Sequence, residues 1–212
     1  MTNSISNATT EQPTARGDRD GHRRDVLDAA HAILLEAGWE GLSIRAVASR
    51  AGVSTGAVYQ WFSGKDEIFG QLMDQELREG LELIDTIPEA NLADSVRMML
   101  DWTVGLYERL ARYELEFVEA SRGRSDRKVA PAAGATYRLL GDRAADVLDA
   151  AAARDGIELV QNENRITWFW AGCVGTAERL TVSPQDYDDE RREALLRFAS
   201  ESLVRSLIRR DD

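Results

Sequence analysis

Hydrophobic residues recur along this chain with the period of amphipathic α-helices. In the first such stretch, the residues spaced at i, i+3, i+4 and i+7 are Val26, Leu27, Ala30, Ile33, Leu34 and Ala37. Gly38 follows them as a helix C-cap. The same reading predicts further helices at about 44–50, 55–62, 65–85, 91–111, 113–122, 131–154, 162–181 and 188–210. Since no stretch combines β-branched alternation with hairpin turns, the sequence predicts an all-α fold.

Two of these helices are short and flank a glycine turn within residues 42–69, which read LSIRAVASRAGVSTGAVYQWFSGKDEIF. Ser43 is suited to cap the first of them, Gly52 marks the turn, and Ser54 or Thr55 caps the second. The spacing of a small shared core is carried by Leu42, Val47, Ala51, Val53, Val58 and Phe62. This pattern predicts a helix-turn-helix, whose second helix lies in the major groove of DNA.

The side chains left to face outward carry the chemistry of DNA recognition. Arg45 is of the type that pairs with guanine, and Gln60 can pair with an adenine edge or a phosphate. Hydroxyls, small residues and an ammonium complete the candidate DNA-binding set of Ser43, Arg45, Thr55, Gly56, Ala57, Tyr59, Gln60 and Lys65. Singly, each could be an ordinary surface or core residue. Together, an uncharged, small and aromatic helix face is poorly explained by solvation alone.

The net charge of −11 argues against nucleic-acid binding, which usually requires a basic footprint. The charge is unevenly distributed, however. Residues 16–65 hold seven Arg or Lys against six acids, whereas residues 71–212 hold nineteen against twenty-eight. Only a local patch in the N-terminal part could therefore contact DNA.

Composition limits the remaining classes of function. At 212 residues the chain can form one large or two small cores, and no apolar run approaches the roughly 18 residues of a membrane span. The N-terminus has no hydrophobic segment, so we expect a flexible tail rather than a secretory signal, and a cytoplasmic protein. A single cysteine, Cys173, and two histidines, His22 and His31, leave little for a metal site. No nucleophile–base pair stands out, so neither an enzyme nor a cofactor is expected.

The stretch from about Arg24 to Phe69 resembles the DNA-binding domain of the tetracycline-repressor (TetR) family of bacterial transcription regulators. The similarity runs through VLDAA, Leu34, Gly38, LSIRAVASRAGVSTGAVYQWF and Lys65. It implies a helix-turn-helix domain at 20–64 after a tail at 1–19, and a ligand-binding and dimerisation domain at 65–212. It also implies a homodimer on a palindromic double-stranded operator, released by a small-molecule effector, with the eight outward residues in DNA-contacting places. Trp61 departs from a histidine that is frequent in the family.

The resemblance implies a repressor. An activator, a regulator controlled by a protein partner, and a helical interaction module without DNA binding stay open as alternatives. The arginines before the first helix could reach phosphates or a minor groove, or they could belong to a solvated tail. These arginines are Arg16, Arg19, Arg23 and Arg24.

An effector pocket needs apolar walls with a few polar groups. The candidates are Trp102, Leu106, Tyr107, Phe117, Tyr137, Trp168 and Trp170, although any of them could instead fill the core. Such walls suit a flat or apolar ligand.

The 162–181 stretch is apolar on nearly all sides, so it must be buried on nearly all sides. The resemblance implies that this helix and the last one pair with their two-fold mates in a four-helix bundle. The candidate interface residues are Phe169, Cys173, Ala177, Leu195, Phe198 and Leu203, and the alternative is a core within one chain. Gly172 and Gly175 would allow close helix approach.

Overall fold

The computed structural model describes residues 15–87, 89–113 and 131–209, and these residues form helices joined by short turns. The N-terminal part contains four of them. They are α1 (Ala15–Gly41), α2 (Ile44–Arg50), α3 (Thr55–Trp61) and α4 (Lys65–Asp85). The predicted bounds of α2, α3 and α4 are confirmed to within a residue. Helix α1 begins at Ala15, so it includes residues 15–19 of the segment predicted as a tail.

The C-terminal part contains four more helices, two of which pack against α4. They are α5 (Leu92–Arg109), α6 (Pro131–Asp155), α7 (Arg165–Val182) and α8 (Asp189–Leu207). The predicted helix at 113–122 starts beside a 3-10 turn, Ala111–Tyr113, and the rest of it lies outside the described residues. Within the described ranges there is no named strand, so the all-α prediction is confirmed. No helix among the described residues is long and apolar enough to cross a membrane.

Gly38 interrupts α1 at the predicted place. Its φ of +65° and ψ of −169° lie outside the helical region, in backbone space that favours glycine. The chain bends there, and the residue that follows, Trp39, is buried with its ring 5.4 Å from that of Phe69 on α4. The bend therefore attaches the end of α1 to the helix that leads into the C-terminal part.

Candidate nucleic-acid interface

Serine caps fix the start of both short helices. The Ser43 hydroxyl accepts a hydrogen bond from the Ala46 backbone N–H at 3.2 Å, and the Ser54 hydroxyl accepts one from the Ala57 N–H at 3.1 Å. Each satisfies a backbone donor that the first helical turn leaves unpaired. Ser43 is the cap that was predicted, and Ser54 rather than Thr55 caps α3. Between the two helices, Gly52 takes a φ of +69° and makes the turn.

One side of the motif is buried, with both α2 and α3 packed on α1. Val47 and Val58 have no exposed surface, and Phe62 is 1% exposed. Arg23 of α1 covers the Phe62 ring, with its guanidinium carbon 5.2 Å from the ring centroid. Since α3 has only seven residues, this packing and not its intrinsic helicity determines its orientation.

The opposite side of α3 faces solvent. Thr55, Gly56, Tyr59 and Gln60 are all exposed, and Tyr59 has 60% of its surface free. Arg45 on α2 is exposed as well, and no ion pair involves it in the described part of the chain. This exposed α3 face (Thr55, Gly56, Tyr59 and Gln60) therefore lies uncovered by the C-terminal helices, with a free guanidinium on the neighbouring helix.

The structure places the other predicted DNA-contacting residues less favourably. Ala57 is half-buried, and the Ser43 hydroxyl already accepts its capping bond. Lys65 turns inward: its Nζ donates to the Trp39 carbonyl at 3.3 Å and lies 4.3 Å from the Trp39 ring centroid. Trp61, the departure from the family pattern, is half-buried against the core.

One basic residue beside the motif is paired in a way that the sequence did not indicate. Arg50, at the end of α2, donates to both carboxylate oxygens of Glu36 at 2.6 and 2.7 Å. These hydrogen bonds hold the pKa of Glu36 below its ordinary value. The two residues are 14 positions apart, so only the packing of α1 against α2 brings them together. Arg45 is therefore the guanidinium of the motif that has no carboxylate partner in the described residues.

Further contacts join the helix-turn-helix to α4 and to the C-terminal part. Arg23 donates to the Gln71 side-chain oxygen at 3.0 Å, and Glu67 accepts from both the backbone N–H and the hydroxyl of Ser63 at 2.7 Å. The Tyr113 hydroxyl donates to the Leu34 carbonyl at 2.6 Å. A displacement of α4 would thus be passed to the short helices.

The predicted pocket residues fall into separate places. Trp102 and Trp170 are half-buried neighbours, with ring centroids 6.4 Å apart, and Leu106 is buried on the same helix as Trp102. Trp168 is 63% exposed and Tyr137 is 43% exposed, so neither is enclosed within the chain. Tyr107 is half-buried, and Phe117 lies outside the described residues.

Four of the predicted dimer residues face the chain's own core. Phe169, Cys173 and Ala177 have no exposed surface, and Leu203 is 6% exposed. Phe169, Cys173 and Ala177 form a stripe at i, i+4 and i+8 on the covered side of α7, a helix that packs on α5 and α8. Their place in a dimer interface, and that of Leu203, stays a prediction. Gly172 supports that packing, since a Cβ there would lie 2.6 Å from Leu203 Cδ2.

The outward side of α7 and α8 carries a different apolar set. Trp168 is 63%, Val182 67% and Phe198 64% exposed, and a Cβ on the exposed Gly175 would meet nothing within 4 Å. Leu195 is half-buried. Of the predicted interface residues, Phe198 is thus the one with a largely exposed side chain. We call Trp168, Gly175, Val182 and Phe198 the α7–α8 outer face.

Comparison with known proteins agrees with this arrangement. Residues 26–72 match the family described as "Bacterial regulatory proteins, tetR family". The HTH-type transcriptional regulator YfiR of Bacillus subtilis is 31% identical over 71 residues, which are 34% of this chain and 35% of YfiR. The chain thus spans about a third of that relative's length in the match.

Solved structures extend the similarity of fold to most of the chain. A transcriptional regulator of Rhodococcus sp. Rha1 superposes with a TM-score of 0.64 at 24% identity, covering 87% of this chain and 96% of that one. The regulator FadR of Bacillus subtilis, in complex with stearoyl-CoA, gives a TM-score of 0.64 at 16% identity, covering 87% and 99%.

The fold and the exposed helix define a helix-turn-helix protein with a helical C-terminal domain. Over residues 26–72 the chain is similar to the tetR family of bacterial regulatory proteins, and most of the chain shares the fold of solved transcriptional regulators.

Proposed function

We propose that this protein is a sequence-specific transcriptional repressor that binds a palindromic operator as a homodimer and releases it when a small molecule binds. The observation that carries the proposal is the exposed α3 face beside the unpaired Arg45. In a major groove, Gln60 can pair with an adenine edge and Arg45 with a guanine. The phenol of Tyr59 can donate to a phosphate.

A second copy of the chain is the proposed occupant of the α7–α8 outer face. Three large hydrophobic side chains there, Trp168, Val182 and Phe198, are each more than 60% exposed, which is unusual for a surface without a partner. Gly175 lies on the same side with open space above it, so another helix could approach closely. One short helix on one half-site gives limited affinity. A two-fold pairing would place two α3 helices on two half-sites and so allow tight binding.

The region around Trp102 and Trp170 is the proposed effector site. Its rings provide apolar walls, and the Trp102 Nε1–H is buried without a hydrogen-bond partner among the described atoms. A flat or apolar ligand that carries a hydrogen-bond acceptor would satisfy that donor. The stearoyl-CoA complex of the B. subtilis structural neighbour supports a ligand-binding role for this domain.

Release would be a shift in population between two spacings of the recognition helices. A ligand that binds the spacing unsuited to the operator more tightly lowers operator affinity by that difference in binding free energy. Helix α4 connects the two parts, since it contacts α1 at one end and packs along α6 and α5.

The test is the affinity of an Arg45→Ala/Tyr59→Ala double variant for a duplex enriched from random DNA by the wild type. We expect a loss of about 100-fold, at roughly 1–3 kcal/mol per contact, and a smaller dependence of affinity on salt. Arg138→Ala, at an exposed position on α6, is the control and should bind as the wild type does. Unchanged affinity and salt dependence in the double variant would show that the assigned face does not contact DNA.

An activator would give the same binding results, so the sign of regulation needs a separate assay. Transcription from a promoter that carries the enriched sequence should fall when the protein is added and recover when an effector is added. A rise on adding the protein would instead establish the activator alternative.

A further inference from the structure

Gly80 and Trp102 form a close contact between α4 and α5. A Cβ placed on Gly80 would lie 2.3 Å from Cζ2 of Trp102 and 2.7 Å from both Cε2 and Cη2. These distances are shorter than any real carbon–carbon contact, so the six-membered half of the indole occupies the space of the missing side chain. Glycine is thus required at position 80 for the indole to lie where it does.

The other surroundings of Trp102 hold the ring by packing alone. It meets the Trp170 ring of α7 edge-on at a centroid distance of 6.4 Å and an interplanar angle of 74°, and Trp170 in turn packs on Phe169 at 5.2 Å. The Trp102 Nε1 is buried, and no described group accepts a hydrogen bond from it. Among the described residues no hydrogen bond holds the indole in place, so the position of the ring depends on its packing against Gly80 and Trp170.

Helix α4 is anchored on the side of Gly80 that leads to the DNA-binding domain. Asp74 accepts from Thr136 of α6 at 2.6 Å, and Glu76 accepts from Arg109 of α5 at 2.7 Å. Both carboxylates are at least 90% buried. A displacement at Gly80 would consequently tilt α4 about these anchors and move its N-terminal end, which is in contact with α1 and Ser63.

We propose that the Trp102 indole, seated in the space left by Gly80, is the contact through which the α5–α7 region sets the position of α4 and hence operator affinity. The inference rests on the proposed function, because it needs a DNA-bound arrangement for α4 to control. With no gap between the ring and the helix, a ligand that moves the indole toward α4 must move α4 as well. Trp102 is in this account a positioning residue that acts on DNA binding through Gly80.

The experiment measures operator affinity of four purified variants without any ligand: Gly80→Ala, Trp102→Phe, the two combined, and Gly141→Ala. The last is the matched control, a helical glycine of α6 whose added Cβ would lie at an ordinary 3.8 Å from Ile166. Gly80→Ala forces the indole and α4 apart, so we expect affinity to fall about 5- to 150-fold, the usual range of coupling between sites. Phenylalanine lacks the three clashing atoms, so the combined variant should return to within about threefold of the wild type.

Thermal melting of the same proteins separates this role from a merely structural one. If Gly80→Ala lowers the melting temperature and the combined variant restores it, while operator affinity is the same in all variants, the contact stabilises the domain without controlling DNA binding. That result overturns the proposal. If Gly80→Ala does not fold, Trp102→Phe alone decides. It frees α4 from its fixed position and should weaken operator binding at least about threefold, whereas unchanged binding contradicts the proposal. If the wild type binds no DNA, the proposed function itself is contradicted. If the wild type binds DNA and the variants bind it equally well, only the role of the Gly80–Trp102 contact is contradicted.

Discussion

Replacing Arg109 by alanine should test how α4 is held to α5. Arg109 Nε donates to the two carboxylate oxygens of Glu76 at 3.2 and 3.0 Å, and its Nη2 donates to one of them at 2.7 Å. The Glu76 side chain is 10% exposed, and that of Arg109 is 40% exposed. These hydrogen bonds raise the pKa of Arg109 above its ordinary value. Arg109→Ala therefore leaves a buried carboxylate without its cation.

The expected cost follows from the burial of each partner. Breaking a fully buried ion pair by removing one member costs about 3–5 kcal/mol. Water reaches the exposed part of Arg109 and will reach Glu76 once the arginine is gone, so we reduce the estimate to about 2 kcal/mol. For a chain of this size that corresponds to a fall in melting temperature of about 4–8 °C. Arginine and alanine are both good helix formers, so helix propensity contributes little to the difference.

Thermal and urea unfolding of three variants would measure the effect. Glu76→Gln combined with Arg109→Ala replaces the stranded charge by a neutral amide, so it should be more stable than Arg109→Ala alone. Arg205→Ala removes an exposed i, i+4 pair with Glu201, whose side chains are 61% and 58% exposed, and should cost no more than about 0.5 kcal/mol. If Arg109→Ala unfolds like the wild type, the carboxylate is solvated and the reasoning from burial fails.

Three further experiments test other parts of the structure. Trp168→Glu should convert the dimer to a monomer in analytical ultracentrifugation. Leu139→Glu, at an exposed position on α6, should leave the dimer intact. If both variants have the same oligomeric state, the assigned interface is refuted. Hydrogen bonds from the backbone N–H and hydroxyl of Ser63 lower the pKa of Glu67 in the folded protein. The ionised Glu67 therefore stabilises the fold at pH values above its unfolded-state pKa, and this stabilisation is lost as pH falls through its folded-state pKa. Glu67→Gln should hence be less stable at neutral pH, with a shallower loss of melting temperature below about pH 4; a parallel curve would contradict this. Burial raises the pKa of the Cys173 thiol to about 12. A thiol reagent at pH 8 should therefore label the native protein far more slowly than the denatured protein. Comparable labelling rates would mean that the core around α7 is accessible to solvent.

The helix-turn-helix could be predicted from the sequence because its signals are local. Ser43, Gly52 and Ser54 each act within a few residues of their own position, as helix caps or as the turn. The periodic apolar residues then assign an inward side, and Val47 and Val58 are fully buried as that pattern indicates. Neither a remote contact nor the C-terminal half is needed to reach this result.

The orientation of α7 could not be predicted in the same way. Its sequence is apolar around most of the helix, so periodicity does not distinguish the side that packs on α5 from the side left exposed. Phe169 and Trp168 are adjacent large aromatics, yet one is fully buried and the other is 63% exposed. The roles of Lys65 and Gly80 were equally hidden, since each depends on a residue more than 20 positions away, Trp39 and Trp102 respectively.

Selection of bound DNA from a random pool tests the central claim most directly. If the exposed α3 face of each protomer reads one half-site, the enriched sequences should converge on a palindrome whose half-site centres are about one helical turn apart or a multiple of that distance. Their binding should weaken steeply with salt. A pool that stays random through successive rounds, with a folded dimeric protein, would contradict the account and leave a helical module that binds some other partner.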